Sequence, residues 1–172
     1  KHRDVKPENI CFADEDFSEL QLIDFGISTE HEGFLTSWGG TPVYMAPEYL
    51  DERKHFDEKT EVYSLGVVMI AVISSTIEAK SLRKLVAYST RRAYSIVDYR
   101  DRLAGGWDHN LYFWYDGVIE QIAACAQKCL KVDPADRPYL QDIIDMLSDL
   151  KQIATNSIIL SKLQATALEM QT

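Results

Sequence analysis

The chain of 172 residues is long enough for one domain with a real core and too short for two. With 46% of its residues apolar and 26% charged, it is excluded from the disordered and fibrous classes and reads as an ordinary globular chain. A formal net charge of -9 argues against nucleic acid or an anionic membrane surface as partner.

In chain order, residues 1–9 (Lys1-His2-Arg3-Asp4-Val5-Lys6-Pro7-Glu8-Asn9) are charged, contain a proline and read as a loop. Two short strands are predicted at 10–13 and 20–23. The acids between them lack the glycine and regular oxygen spacing of a metal loop and read as a solvated hairpin turn. Residues 24–47 show little periodicity and hold Gly26, Gly33, Gly39 and Gly40; irregular segments of that length are usually kept for function. A helix is predicted from Thr60 as N-cap, and its run from Val62 to Ile73 is apolar nearly all round, which places it in the middle of the domain. That run is too short and too interrupted to span a bilayer.

Residues 80–87 fit an amphipathic helix. The aromatic segment 105–115 reads as cover for a core edge, with a docking surface as the other reading. Val118, Ile122, Cys125, Ala126 and Cys129 form one helical stripe. After the Asp133-Pro134 break, Leu140, Ile143, Ile144, Leu147 and Leu150 form a second. Cys125 and Cys129 lie one turn apart without further ligands nearby, so they read as core thiols rather than a metal pair. With Cys11 they make an odd set without a disulfide framework, and an intracellular location is expected, cytoplasm and nucleus left open. A last stripe (Ile159, Leu160, Leu163, Ala167) predicts a terminal helix that packs on the domain or meets a regulatory partner.

The opening loop and Asp24-Phe25-Gly26 together supply two carboxylates, a lysine and an amide at fixed offsets. Phosphoryl transfer from a magnesium nucleotide needs that inventory: a carboxylate for the hydroxyl proton, a cation beside the moving group, and two oxygen ligands for the metal. Asp4 and Lys6 are two apart, so an extended loop points both to one side, and Asn9 returns there after Pro7 fixes the turn. Taken singly, each of these residues reads as a surface charge, and Cys11 as a plain core thiol.

These residues resemble the C-terminal lobe of a eukaryotic-type serine/threonine protein kinase. The motifs follow the family order: His2-Arg3-Asp4-x-Lys6-Pro7-Glu8-Asn9, Asp24-Phe25-Gly26, Gly40-Thr41-Pro42-x-Tyr44-Met45-Ala46-Pro47-Glu48, Ser64-Leu65-Gly66, and Asp133-Pro134-x-x-Arg137-Pro138. The resemblance implies a mainly α fold of the α+β family, a helical bundle with a short β-hairpin at the catalytic loop. It spans residues 1–154, with a helical tail at 155–172. It implies ATP and Mg2+ as cofactors and a protein serine or threonine hydroxyl as acceptor. By position, Asp4 is the catalytic base, Lys6 the cation beside the transferred phosphate, and Asn9 and Asp24 the metal ligands, with Cys11 under the adenine. Thr41 then bonds the base and lysine and shapes the acceptor site, while Glu8 faces a basic substrate residue.

Arg3 matches kinases switched by phosphorylation of the activation loop. The expected phosphosite is Ser37, four residues before Thr41, with Thr36 as runner-up. His2, Phe25 and Gly26 frame the site, and Glu48 and Arg137 correspond to an internal ion pair. Glu61 stands where the family usually has aspartate, an acid that accepts bonds from the backbone of the His-Arg stretch. Its extra methylene keeps the acceptor and is expected to loosen the geometry. The glycine-rich loop, strand lysine and partner glutamate of the family do not appear, and the chain starts one residue before a motif without Met. It is therefore expected to be a fragment, inactive alone, that works with an N-terminal lobe in cis on a protein substrate. The competing reading is a pseudokinase or truncated lobe acting as a protein-interaction scaffold.

Overall fold

The computed structural model describes residues 1–13, 20–30, 33–34, 39–50, 55–74, 77–89 and 116–149. In chain order they form a 3-10 turn (Pro7–Asn9), β1 (Ile10–Phe12), β2 (Leu20–Leu22), β3 (Gly33–Phe34), α1 (Pro47–Leu50), β4 (His55–Phe56), α2 (Glu58–Ser74), α3 (Ala79–Ser89), α4 (Asp116–Cys129) and a second 3-10 turn (Pro134–Asp136). A last helix, α5, covers residues 140–149. The architecture is mainly helical with small strand pairs, in agreement with the fold class expected from the sequence.

A helix apolar on every side must be enclosed, and α2 is the axis of the domain. Val62, Val67 and Ile70 are wholly buried, while Val72 alone of the run stands 63% exposed. The helix packs most extensively against α4 and next against α3. Leu82 and Val86 of α3, Ala123, Cys125, Ala126 and Cys129 of α4, and Ile143 of α5 complete the core. The Cys125 thiol beside it and burial both push the Cys129 thiol far up, so it stays protonated and packs as an apolar group. Ser74, the buried hydroxyl at the end of α2, bonds back to the Ile70 carbonyl at 2.6 Å. Among the described residues no single helix is long and apolar enough to cross a membrane.

The hairpin β1–β2 is antiparallel with Ile10 opposite Leu22 and Phe12 opposite Leu20, each strand one residue shorter than predicted. A second antiparallel pair, β3–β4, sets Gly33 against Phe56. It was not predicted, because a two-residue ladder has no periodicity to read. The start of α2 is also a correction. Asp57, not Thr60, is the N-cap: its Oδ1 accepts the Thr60 amide at 3.1 Å, and the Thr60 hydroxyl accepts the Asp57 amide at 3.3 Å. This reciprocal pair is a capping box with threonine in the third position. Among the described residues of the predicted stripe only Ile143 is fully buried; Leu140 is 37% and Ile144 54% exposed, because the helix meets the core along Ile143, Met146 and Leu147, and Leu150 lies outside the described residues. The acidic turn 14–19, the aromatic segment 105–115 and the tail 155–172 lie outside the described residues.

Gly66 sets how closely α2 and α4 approach. A Cβ there would meet the Cys129 Cβ at 2.7 Å and the Leu130 Cγ at 3.1 Å. Gly66→Ala is expected to lower stability by about 1–3 kcal/mol despite the better helix propensity of alanine. Val72→Ala should stay within roughly 0.5 kcal/mol. Urea denaturation midpoints measure both, and a stabilised Gly66→Ala protein contradicts the close packing.

Candidate active site

The polar residues at the start of α2 are buried or half-buried, and they take partners from the loops around them. Glu61 reaches the opening loop: its Oε1 accepts the amides of His2 and, at 3.0 Å, of Arg3. Those bonds hold Arg3 in a left-handed backbone conformation, φ 74°, which a non-glycine residue adopts only when its surroundings impose it. The Asp4 amide donates to His2 Nδ1 at 3.3 Å, which leaves Nε2 to donate to the Ile23 carbonyl at 2.8 Å. His2 is thereby fixed between the opening loop and the segment that follows the hairpin, with the Phe25 ring edge-on at 4.8 Å.

Past this anchor the loop gathers Asp4, Lys6, Asn9 and Thr41. Asp4 Oδ2 contacts the Lys6 ammonium at 2.6 Å and accepts from Asn9 Nδ2 at 3.3 Å; the same amide nitrogen donates to the Asp4 carbonyl at 2.9 Å. Lys6 Nζ also donates to the Thr41 hydroxyl at 2.9 Å. Asp4 Oδ1 is buried and makes no hydrogen bond among the described residues. Burial pushes the Asp4 carboxyl up, but Lys6 and Thr41 beside it outweigh that and hold it below the usual aspartate range. Gly40 is required here. Its φ is 101°, and a Cβ would lie 2.6 Å from the Arg3 carbonyl and 3.5 Å from Asp4 Oδ1.

Asp24 lies across the hairpin with φ 63°. Its exposed carboxylate accepts the Gly26 amide at 3.3 Å through Oδ1. Asn9 spends its amide nitrogen on Asp4, which leaves its oxygen as the free acceptor. One amide oxygen and one carboxylate suit a hard cation such as Mg2+, which takes few protein oxygens and completes its shell with phosphate and water. Among the described residues no group of three or more His, Cys, Asp or Glu is set to hold a metal by itself. Cys11 is exposed on β1, and Glu8 is exposed at the 3-10 turn. Ser37 and Thr36 lie outside the described residues.

The structure brings Glu48 and Arg137 together from opposite ends of the chain. Arg137 is 2% exposed and places its forked Nη1 and Nη2 on the two Glu48 oxygens at 2.6 and 2.7 Å. Its remaining donors go to the carbonyls of Lys131, Val132 and Lys59, and the guanidinium lies over the Tyr63 ring at 4.9 Å.

Four further participants carry no sequence signal for the bonds they make, although Tyr44 and Ser64 stand in the motifs and Thr60 at the start of α2. Tyr49 accepts from Arg3 Nη2 at 3.1 Å and donates to the Gly39 carbonyl. Thr60 donates to Glu48, and Ser64 to the Tyr44 carbonyl at 2.8 Å. Tyr44 is buried, its hydroxyl makes no hydrogen bond among the described residues, and burial with Glu8 nearby pushes it up to about 12. Tyrosine, serine and threonine are too common at helix and loop positions for residue type alone to mark them.

The family profile for the protein kinase domain matches residues 1–147. The chain is 29% identical over 153 residues to the Calcium/calmodulin-regulated receptor-like kinase 1 of Arabidopsis thaliana, covering 86% of this chain and 32% of the relative. It is 32% identical over 158 residues to the Serine/threonine-protein kinase PknK of Mycobacterium bovis, covering 88% and 13%. It is 29% identical over 174 residues to the Dual serine/threonine and tyrosine protein kinase of Apis mellifera, covering 98% and 16%. The chain thus spans 32% or less of the length of these curated relatives.

Removing one partner of a buried ion pair leaves the other charge without compensation. Glu48→Gln and Arg137→Gln are each expected to cost roughly 3–5 kcal/mol in chemical denaturation, and replacing both by apolar residues should recover part of the loss. A cost below about 1 kcal/mol for either single change would mark the pair as a solvated surface contact instead.

Proposed function

This chain belongs to the protein kinase domain family, and we propose that it supplies the catalytic and substrate-binding lobe of an ATP- and magnesium-dependent serine/threonine kinase. The observation that carries the reading is the Asp4 carboxylate, with one oxygen held by Lys6 and Asn9 and the other buried and unpaired. That free Oδ1 is the acceptor for the proton of a serine or threonine hydroxyl, whose oxygen attacks the γ-phosphorus as ADP leaves. Lys6 offsets charge on the transferring group while Thr41 holds the ammonium in place. Bound magnesium nucleotide supplies the phosphoryl group and the metal charge. Asn9 and Asp24 would contribute the protein oxygens to that metal, and the exposed Cys11 on β1 would border the adenine. Glu8, with the Tyr44 hydroxyl near it, faces a basic residue of the substrate.

His2, Phe25, Gly26, Glu61, Glu48 and Arg137 act by positioning. The contact of Glu61 with both backbone amides supports an intact catalytic loop and disfavours a pseudokinase scaffold, since the longer acid still reaches its targets. The 172 residues include no glycine-rich loop and no strand lysine for the α- and β-phosphates, so those contacts are assigned to an N-terminal lobe in cis. Arg3 bonds the Ile27 carbonyl and the Tyr49 hydroxyl. A phosphate on Ser37, or failing that Thr36, adds a doubly charged bidentate partner and orders the loop.

In the full-length protein, Asp4→Asn is expected to lower phosphate transfer to a serine peptide by roughly 10²- to 10⁴-fold, read by radiolabel incorporation. Wild-type turnover in that variant sinks the proposal. Residues 1–172 alone should show no transfer, and Asp4-dependent labelling by them would refute the need for a second lobe. Ser37→Ala should reduce activity, with phosphate on Ser37 of the active enzyme seen by peptide mapping; full activity with Ser37 unmodified excludes it as the switch.

A further inference from the structure

The helix α5 fills the core with one edge and leaves the neighbouring edge bare. Ile143 and Met146 face the domain, and Leu147 is half-buried against it. Glu58 accepts the Leu140 amide and fixes the start of the helix. Leu140, Ile144 and Leu147 are spaced by four and three and fall on one strip, yet Leu140 and Ile144 stand out in solvent. That strip is open hydrocarbon along the length of an anchored helix, continuous with the core rather than detached from it. The solvent side of the same helix is acidic. Asp142, Asp145 and Asp149 are all exposed, and residues 140–149 hold no base.

The sequence that follows matches both features. Residues 150–172 lie outside the described residues. Within them Ile159, Leu163 and Ala167 recur every four residues, and Leu160 widens the stripe. The charges of this segment are Lys151, Lys162 and Glu169, so bases outnumber acids in a chain whose net charge is -9. Residues 150–157 have the length of an ordinary helix–helix connection, about 2–8 residues. They end on Asn156-Ser157, types that favour turns and helix N-caps. A helix over 158–170 rises about 20 Å against about 15 Å for α5, enough to cover the strip on its return.

We propose that residues 158–170 form a helix that folds back antiparallel along α5 and closes this strip. A short connection makes successive helices antiparallel neighbours. The register then sets Ile159 beside Leu147, Leu163 beside Ile144 and Ala167 beside Leu140. The small alanine permits close approach where the strip meets Glu58 at the start of α2. Lys162 falls on the flank that faces the α5 acids. The tail is thereby part of the folded domain rather than a free arm for another protein. The contact uses no residue of the active site, so it holds whether or not the chain transfers phosphate.

Hydrogen exchange of the full-length protein, read by mass spectrometry on peptides covering 158–172, tests the docking. In the wild type these amides should exchange about tenfold or more slower than in an isolated peptide of the same sequence. Ile144→Asp and Leu163→Asp should each remove most of that protection, since one lost buried aliphatic contact accounts for about tenfold. Lys162→Glu should lower it roughly threefold, as for an exposed charge pair. Val132→Asp, at an exposed apolar position off α5, should leave it unchanged. Peptides from α2 and α4 that keep wild-type exchange separate undocking from unfolding, and Ile144→Ser replaces the aspartate variant where they do not. A tail that exchanges like the isolated peptide, or protection that survives both substitutions of Ile144, overturns the proposal. Protection that grows with protein concentration, together with a dimer in sedimentation velocity, puts the tail on a second copy and also overturns it.

Discussion

Burying an apolar helix carries its polar first turn inside with it, and the rest of the structure follows from that constraint. A buried donor or acceptor without a partner costs about 1–3 kcal/mol, and the polar groups of residues 57–64, buried at Thr60 and half-buried beside it, find partners. Asp57 caps its own helix, and Glu58 accepts the Leu140 amide at the start of α5. Lys59 donates to the Arg137 carbonyl at 2.6 Å and lies over the Tyr139 ring at 3.4 Å. Thr60 meets Glu48, Glu61 meets the His2 and Arg3 amides, and Ser64 meets the Tyr44 carbonyl. The segments recruited this way are those that carry Asp4, Thr41, Glu48 and Arg137. The site is assembled by the need to satisfy the end of one helix.

That arrangement lets the loop hold conformations it would otherwise abandon. Arg3 and Asp24 both have left-handed backbone, at about 1–3 kcal/mol each, and they flank the residues that gather around Asp4. Gly40 completes the set, since any side chain there would strike the Arg3 carbonyl. The buried Asp4 Oδ1, without a hydrogen bond among the described residues, is a further cost that the surrounding contacts carry. Glu61 and the Glu48–Arg137 pair thus hold the loops that carry Asp4, Lys6 and Thr41.

Much of this was legible along the chain. The hairpin, the amphipathic α3, the buried α2 and the stripe of α4 follow from apolar spacing, because each is long enough or regular enough to leave a pattern. The β3–β4 pair, with two residues a side, leaves none. Thr60 has the residue type of a cap, but Asp57 three residues earlier competes for the same role and wins. Leu140 and Ile144 have the right spacing for a core and yet stand partly in solvent, since periodicity tells which face is apolar and not how much of it a neighbour covers. Tyr49 carries no pattern at all, and Ser64, though part of the Ser64-Leu65-Gly66 motif, carries none for its bond to the Tyr44 carbonyl.

The residues by themselves determined the chemical inventory. A carboxylate, a lysine and an amide within one short loop, with a second acid after a hairpin, are local facts that folding does not alter. The long-range pairings of Glu61 and of Glu48 with Arg137 came from the family resemblance, not from spacing. His2 and Glu61 are 59 residues apart, and Glu48 and Arg137 are 89. Only the tertiary structure decided which Asp4 oxygen is tied and which is free, that Tyr49 holds Arg3, and that Leu140 and Ile144 leave an apolar strip of α5 open. The reason is physical: burial and partnership are properties of the packed assembly, and along the sequence each of these side chains is an ordinary residue in ordinary surroundings.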